Sequence, residues 1–164
     1  MKASVLIAVV LMSMPPGHAA DRILIQVPAA MDSQVTLSDV IKRECPVAML
    51  LGNQVFRMVS VKFPRSLQIE MPDGTEKAHV LALTILRVVA AEGGTRSGPK
   101  SLTVRADLMQ SGKVLATMVK ERDSEFTPRW GTCALLERVA ALIGQDIATW
   151  LPGALSGDVS RDAR

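Results

Sequence analysis

The alternation of apolar and polar positions is cleanest between residues 101 and 120. In Ser101–Met109, Leu102, Val104, Ala106 and Leu108 fall on one side, while Thr103, Arg105 and Asp107 fall on the other. That is the period of a half-buried strand. Gln110–Lys113 reads QSGK, a glycine-containing turn, and Val114–Lys120 runs back. The pattern predicts an antiparallel hairpin with one wet face. A polar stretch then leads to Gly131–Thr132, with Thr132 expected as the N-cap of a last helix. Leu136, Val139, Ala140, Ile143, Ile147, Trp150 and Leu151 recur at helical spacing, opposite Glu137, Arg138, Gln145 and Asp146. Pro152 and Gly153 are expected to stop that helix.

The first half is less regular. Arg22–Val27 (RILIQV) alternates and is closed by Pro28, which predicts a first strand. Thr36 is expected to cap a helix through Leu37, Val40 and Ile41 to Cys45, with Asp39 in its first turn. Pro46 breaks it and suits the start of a second helix, along which Val47, Leu50, Leu51, Val55, Met58 and Val59 recur. Val61–Phe63 and Ser66–Glu70 read as short edge or irregular strands around Pro64. Met71–Thr75 (MPDGT) has the composition of a tight turn. Ala78–Ala91 is a long apolar run in which periodicity alone does not separate helix from strand; its β-branched content favours strand. Together these elements predict an α+β domain over residues 21–152. Its sheet would be mainly antiparallel, of four or five strands, with the N-terminal and C-terminal helices packed on one face.

Composition changes this picture chiefly at the N-terminus. Residues 1–20 read MKASVLIAVVLMSMPPGHAA: a basic Lys2, an apolar run too short to span a bilayer, helix breakers, then small residues. This is the layout of a cleaved secretory signal, with the cut expected just before Ala20 or Asp21. No cysteine lies near that point, so neither a lipid anchor nor a transmembrane segment is expected in the mature chain, which would be periplasmic or secreted. The tail, residues 153–164, is small and polar and is expected to be disordered. Lys2 leaves with the signal, taking the formal charge from +3 to +2. No window carries the run of Lys and Arg that a phosphate backbone requires, so nucleic acid is a poor partner.

Export gives meaning to the two cysteines. Cys45 and Cys133, 88 residues apart, form an even pair in an oxidising compartment, and a single disulfide is the natural reading. The alternative is two unpaired buried thiols. If bonded, they would staple the start of the last helix to the break between the first two.

Candidate chemistry is sparse. Gly93–Ser101 (GGTRSGPKS) approaches a phosphate-binding loop but places Pro99, which has no N–H, before Lys100, and it continues into a strand rather than a helix. A weaker use remains: Arg96 and Lys100 on an exposed connection could contact an anionic group or a partner's acidic surface. Trp130, with Phe126 nearby, reads either as a hydrophobic staple on the last helix, the preferred reading, or as part of a contact surface. His79 is the single histidine left after the signal, and there is no GxSxG, HExxH or CxxC. No metal, no cofactor and no catalytic residue is therefore expected. Glu121, Asp123 and Glu125 read as a solvated polar stretch.

The segments IKRECPV, SGPKSLTV, GTCALL and GQDIATWLP resemble a family of small secreted proteobacterial proteins with no assigned activity. The likeness runs from about Val40 to Pro152. More distantly, the layout is similar to the α/β domains of periplasmic auxiliary lipoproteins that serve envelope transport systems, from which this chain departs by lacking the lipidated cysteine. The resemblance implies no catalytic residues. The function expected is a non-enzymatic binding or interaction module of the cell envelope, whose partner is an envelope protein or a small ligand. A small periplasmic hydrolase and a secreted effector are the alternatives.

Overall fold

The computed structural model describes residues 22–91, 98–124 and 131–157. The expected export signal, Arg96, Phe126, Trp130 and residues 158–164 of the tail lie outside them.

Among the described residues the elements follow in the order β1 (Ile23–Gln26), β2 (Ala30–Met31), α1 (Asp39–Glu44), α2 (Val47–Lys62), β3 (Leu67–Ile69), β4 (His79–Val89), β5 (Ser101–Gln110), β6 (Lys113–Asp123) and α3 (Thr132–Ser156). The strands form one sheet in the order β3-β1-β4-β5-β6, with β2 pairing β4 beyond the end of β1. The fold class is α+β as expected, but the sheet is mixed. β4, β5 and β6 are antiparallel, whereas β1 pairs β3 and β4 in parallel, and β2 also pairs β4 in parallel. The expected antiparallel character is corrected for that half. α1 and α2 form the crossover from β1 to β3, and a crossover delivers a strand parallel to its predecessor.

The hairpin matches its pattern. Leu102, Val104, Ala106 and Leu108 are buried, and Ser111 and Gly112 both take positive φ, 50° and 73°, in a two-residue turn whose twist suits the flanking strands. Residues 78–91 resolve in favour of strand. β6 extends three residues past the expected Lys120, so Glu121 and Asp123 lie on a strand and not in a loop.

The parallel half is joined by a side chain where its ladder fails. β1 leaves β4 after Ile25, and Val27 N–H turns to the carbonyl of Ile69 on the β3 side (2.8 Å). The Leu83 N–H thereby exposed donates to Gln26 Oε1 at 3.2 Å, and Asp32 N–H resumes pairing at Ile85 O (2.9 Å). A buried N–H without a partner costs about 1–3 kcal/mol, so Gln26 closes a gap that the backbone leaves open.

Four helix ends differ from expectation. Ser38, not Thr36, caps α1, its hydroxyl accepting from Ile41 N–H. Gly131 stands at the N-cap of α3; Thr132 is the first helical residue, and its hydroxyl donates to Ala91 O at the end of β4. Pro152 does not stop α3, which continues to Ser156 and ends at Gly157 with φ 73°. Leu151 and Ala154 are buried on either side of the proline, and this packing offsets the single hydrogen bond that the ring removes. Val61–Phe63 is likewise helix to Lys62, and only Leu67–Ile69 becomes strand, at the sheet edge as foreseen.

The core lies between one sheet face and the helices. Ile23, Ile25, Leu81, Leu83 and Ile85 meet Leu51, Val55 and Val59 of α2 and Leu136, Val139, Ile143 and Ile147 of α3. α2 and α3 approach closely at Gly144, where an added Cβ would lie 3.0 Å from the carbonyl oxygen of Gln54. On the other sheet face, Arg105 and Thr117 both bond to Asp107 (3.0 and 2.7 Å).

Candidate functional site

Cys45 and Cys133 are joined, with Cα atoms 5.4 Å apart. Cys45 follows α1 at its C-cap, and Cys133 lies in the first turn of α3, so the bond fastens α3 to the α1–α2 junction. Lys100 is placed differently from expectation. Its side chain is enclosed, 0% exposed, with Nζ donating to Gly98 O at 2.9 Å. Its carbonyl accepts from Ser124 N–H (2.7 Å) and its N–H donates to the Ser124 hydroxyl (2.9 Å), which closes the base of the β5–β6 hairpin. Burial pushes the Lys100 ammonium below its ordinary pKa. It is a fastening of the hairpin base rather than a displayed cation.

Among the described residues, two concavities stand on the helical side. The first, about 440 Å³, lies between α2 and the N-terminal half of α3 and is lined by Gln54, Arg57, Ala134, Glu137, Arg138 and Ala141, with Gly131 at its end. Gln54 and Arg57 are one turn apart on α2; Ala134, Glu137 or Arg138, and Ala141 follow the same spacing on α3. Gln54 is 6% exposed, and both ends of its amide are engaged. Its Nε2 donates to Glu137 Oε1 (3.0 Å), and its Oε1 accepts from Arg57 Nη2 (2.6 Å). A guanidinium and a carboxylate are thus held by one amide. Sequence reasoning missed this trio. The available signal was a glutamine within the apolar stripe of α2, next to Val55; its partner lies 83 residues away.

The second concavity, about 340 Å³, is apolar and adjoins the disulfide, with walls from Pro28, Met31, Val35, Leu37, Pro46 and Met49. His79 opens β4 opposite Ile23, half-buried. Among the described residues no three His, Cys, Asp or Glu side chains come together as a metal site would require, and no helix is long and apolar enough to cross a membrane.

The sheet edges carry apolar side chains in water. Leu67 on β3 and Val114, Leu115 and Val119 on β6 are exposed, Leu115 and Val119 by about half (51% and 52%). β3 and β6 are the two outer strands. β6 is eleven residues long, with a bulge near its tip where its register with β5 shifts beside Met109. At its far end Arg122 forms a two-pronged pair with Asp146 of α3, both bonds at 2.7 Å. The carboxylate holds the Arg122 guanidinium above its ordinary pKa.

No family model and no curated protein matches the chain. Solved structures with a similar fold do exist. PelC of Paraburkholderia phytofirmans, solved as a dodecamer, is 16% identical with a TM-score of 0.52, over 81% of this chain and 93% of PelC. A DUF330 protein of Xanthomonas campestris is 15% identical with a TM-score of 0.53, over 84% of this chain and 86% of its own. At this identity the likeness establishes the fold alone.

Proposed function

We propose that the protein is an extracytoplasmic, non-enzymatic interaction module that meets its partners, further copies of itself first among them, through the edges of its sheet. The observation that carries this reading is the exposed apolar side chains on the two outer strands, Leu67 on one and Val114, Leu115 and Val119 on the other. Edge strands in monomers are normally blunted, and long ones with exposed apolar residues invite association. Two unlike edges make a head-to-tail contact, which closes into a ring when its rotation permits. PelC, which shares the fold, is a dodecamer. The disulfide and the signal-like residues 1–20 support a location outside the cytoplasm.

The test is expression of the full chain in a Gram-negative host. Expected are a shortened product released by osmotic shock, two cysteines that resist alkylation until reduced, and light-scattering masses above the monomer that Leu115→Lys with Val119→Lys brings down to it. A chain retained uncut in the cytosol defeats the location. A strict monomer whose only property is turnover of an ester, peptide or phosphoester defeats the module.

A further inference from the structure

The groove between α2 and α3 is independent of those edges, and its charges have an unusual arrangement. Among the described residues Arg57 spends one of five N–H donors, on Gln54, and Glu137 spends one carboxylate oxygen on the same amide. Both side chains are exposed toward solvent, while the amide between them is buried. Burying an amide is costly unless both its ends are bonded, and here each end is bonded to an ion. The outcome is a cation with donors to spare and an anion with lone pairs to spare, set apart by the width of one amide on facing helices. Ala134 and Ala141 flank Glu137 at one-turn spacing and leave room beside the pair where longer side chains would fill it. The volume, about 440 Å³, falls within the range of small-molecule sites.

A lone anion would meet Arg57 and Arg138 but also the Glu137 carboxylate, and a lone cation would meet that carboxylate but also the two guanidiniums. A ligand with both charges on neighbouring atoms satisfies both groups. We infer that this groove binds a small zwitterion, an α-amino acid with a short apolar side chain. Its carboxylate takes the Arg57 fork, its ammonium takes Glu137, and its side chain lies against Ala134 and Ala141. Gln54 is a positioning residue: it touches no ligand and fixes the spacing of the two that do.

The probes are L-alanine, N-acetylalanine and alaninamide, titrated into the full mature protein and followed by two-dimensional amide NMR. L-alanine is expected to shift the Gln54 side-chain amide and the backbone amides of Ala134 and Arg138 along saturable curves. Each blocked derivative, having lost one charged hydrogen bond, is expected to bind about tenfold more weakly or worse. Arg57→Gln and Glu137→Gln should each abolish the shifts while leaving the circular dichroism intact. If either fails to fold, Arg57→Lys and Glu137→Asp keep the charges and should weaken binding through altered reach. Gln54→Leu should weaken L-alanine while narrowing its advantage over the blocked forms, a change that a purely structural glutamine would not produce. N-acetylalanine or alaninamide binding as well as L-alanine overturns the zwitterion in favour of a simple ion contact. Shifts that stay linear to tens of millimolar, an order at which even weak ligands saturate, overturn the site. Neither result bears on the sheet edges.

Discussion

The hairpin β5–β6 and the parallel pairings of β1, β2 and β3 meet on β4, and they are held by different means. The hairpin is joined by a two-residue turn, paired along its length but for one bulge near the tip, and fastened at its open end by Lys100 and Ser124. The parallel half consists of strands of four, two and three residues, brought together across two helices. Its ladder is interrupted, and a glutamine side chain and a distant disulfide supply what the backbone does not. Local pairing needs little beyond alternation and a turn. Non-local pairing needs fastenings that no short window of sequence displays.

This contrast can be broken most forcefully at the disulfide. Replacing Cys45 and Cys133 by alanine frees an 88-residue loop, for which chain entropy sets a cost of about 4–5 kcal/mol. Denaturant titration should show that loss, and hydrogen exchange should show protection falling first in α1, the start of α3 and β1–β3, with β5–β6 amides outlasting them. Uniform loss across the sheet would mean that the two halves are one cooperative unit. Next in size is Gln26→Leu, which leaves Leu83 N–H unpaired in the core at a cost of about 1–3 kcal/mol. Its exchange signature should appear at Leu83 and Ile85 on the β1–β2 side, while Leu83 pairing with Ala106 persists.

Smaller still is Arg122→Gln, which unfastens β6 from α3. The melting temperature should fall by less than for Gln26→Leu, and the difference from wild type should shrink in high salt, because the pair is partly exposed. The smallest effect is at Asp73. Hydrogen bonds from the Thr75 hydroxyl and N–H hold its carboxyl below the usual carboxylate pKa. A depressed folded pKa stabilises the fold above the unfolded value, near 3.9, and that contribution disappears as pH falls through the lower folded value. Melting temperatures of wild type and Asp73→Asn should therefore differ slightly at pH 6 and converge toward pH 2. The hairpin tip, which lies against this turn through Ser111 N–H and Glu76 O, should report the change.

Legibility in the sequence follows the same division. The hairpin, its turn and its wet face could be read because each strand pairs with its chain neighbour. β4 could be read from β-branched content, and the break at Cys45–Pro46 from proline. A two-residue strand such as β2 carries no period at all, and the parallel order β3-β1-β4 depends on a crossover rather than on composition. Pro152 was misleading because its local cost is outweighed by the packing of Leu151 and Ala154, which only the fold reveals. Lys100 read as a surface cation because enclosure is a property of place. The cysteine pair was legible by count, whereas the Gln54 bridge joins two helices whose facing could not be anticipated.

The position of β1 also has a consequence in time. Among the described strands it is the first to emerge as the chain is made, yet both of its neighbours, β3 and β4, arrive later, and the partner of Cys45 arrives after the last of those strands. For most of synthesis, then, the N-terminal half is a hydrophobic strand and a bare thiol waiting for company, while the hairpin can close as soon as Asp123 has appeared. A chain arrested before Cys133 would carry a finished hairpin and an unclaimed cysteine. The bond can form only once Cys133 has appeared, so the order of residues places it after every described strand of the sheet.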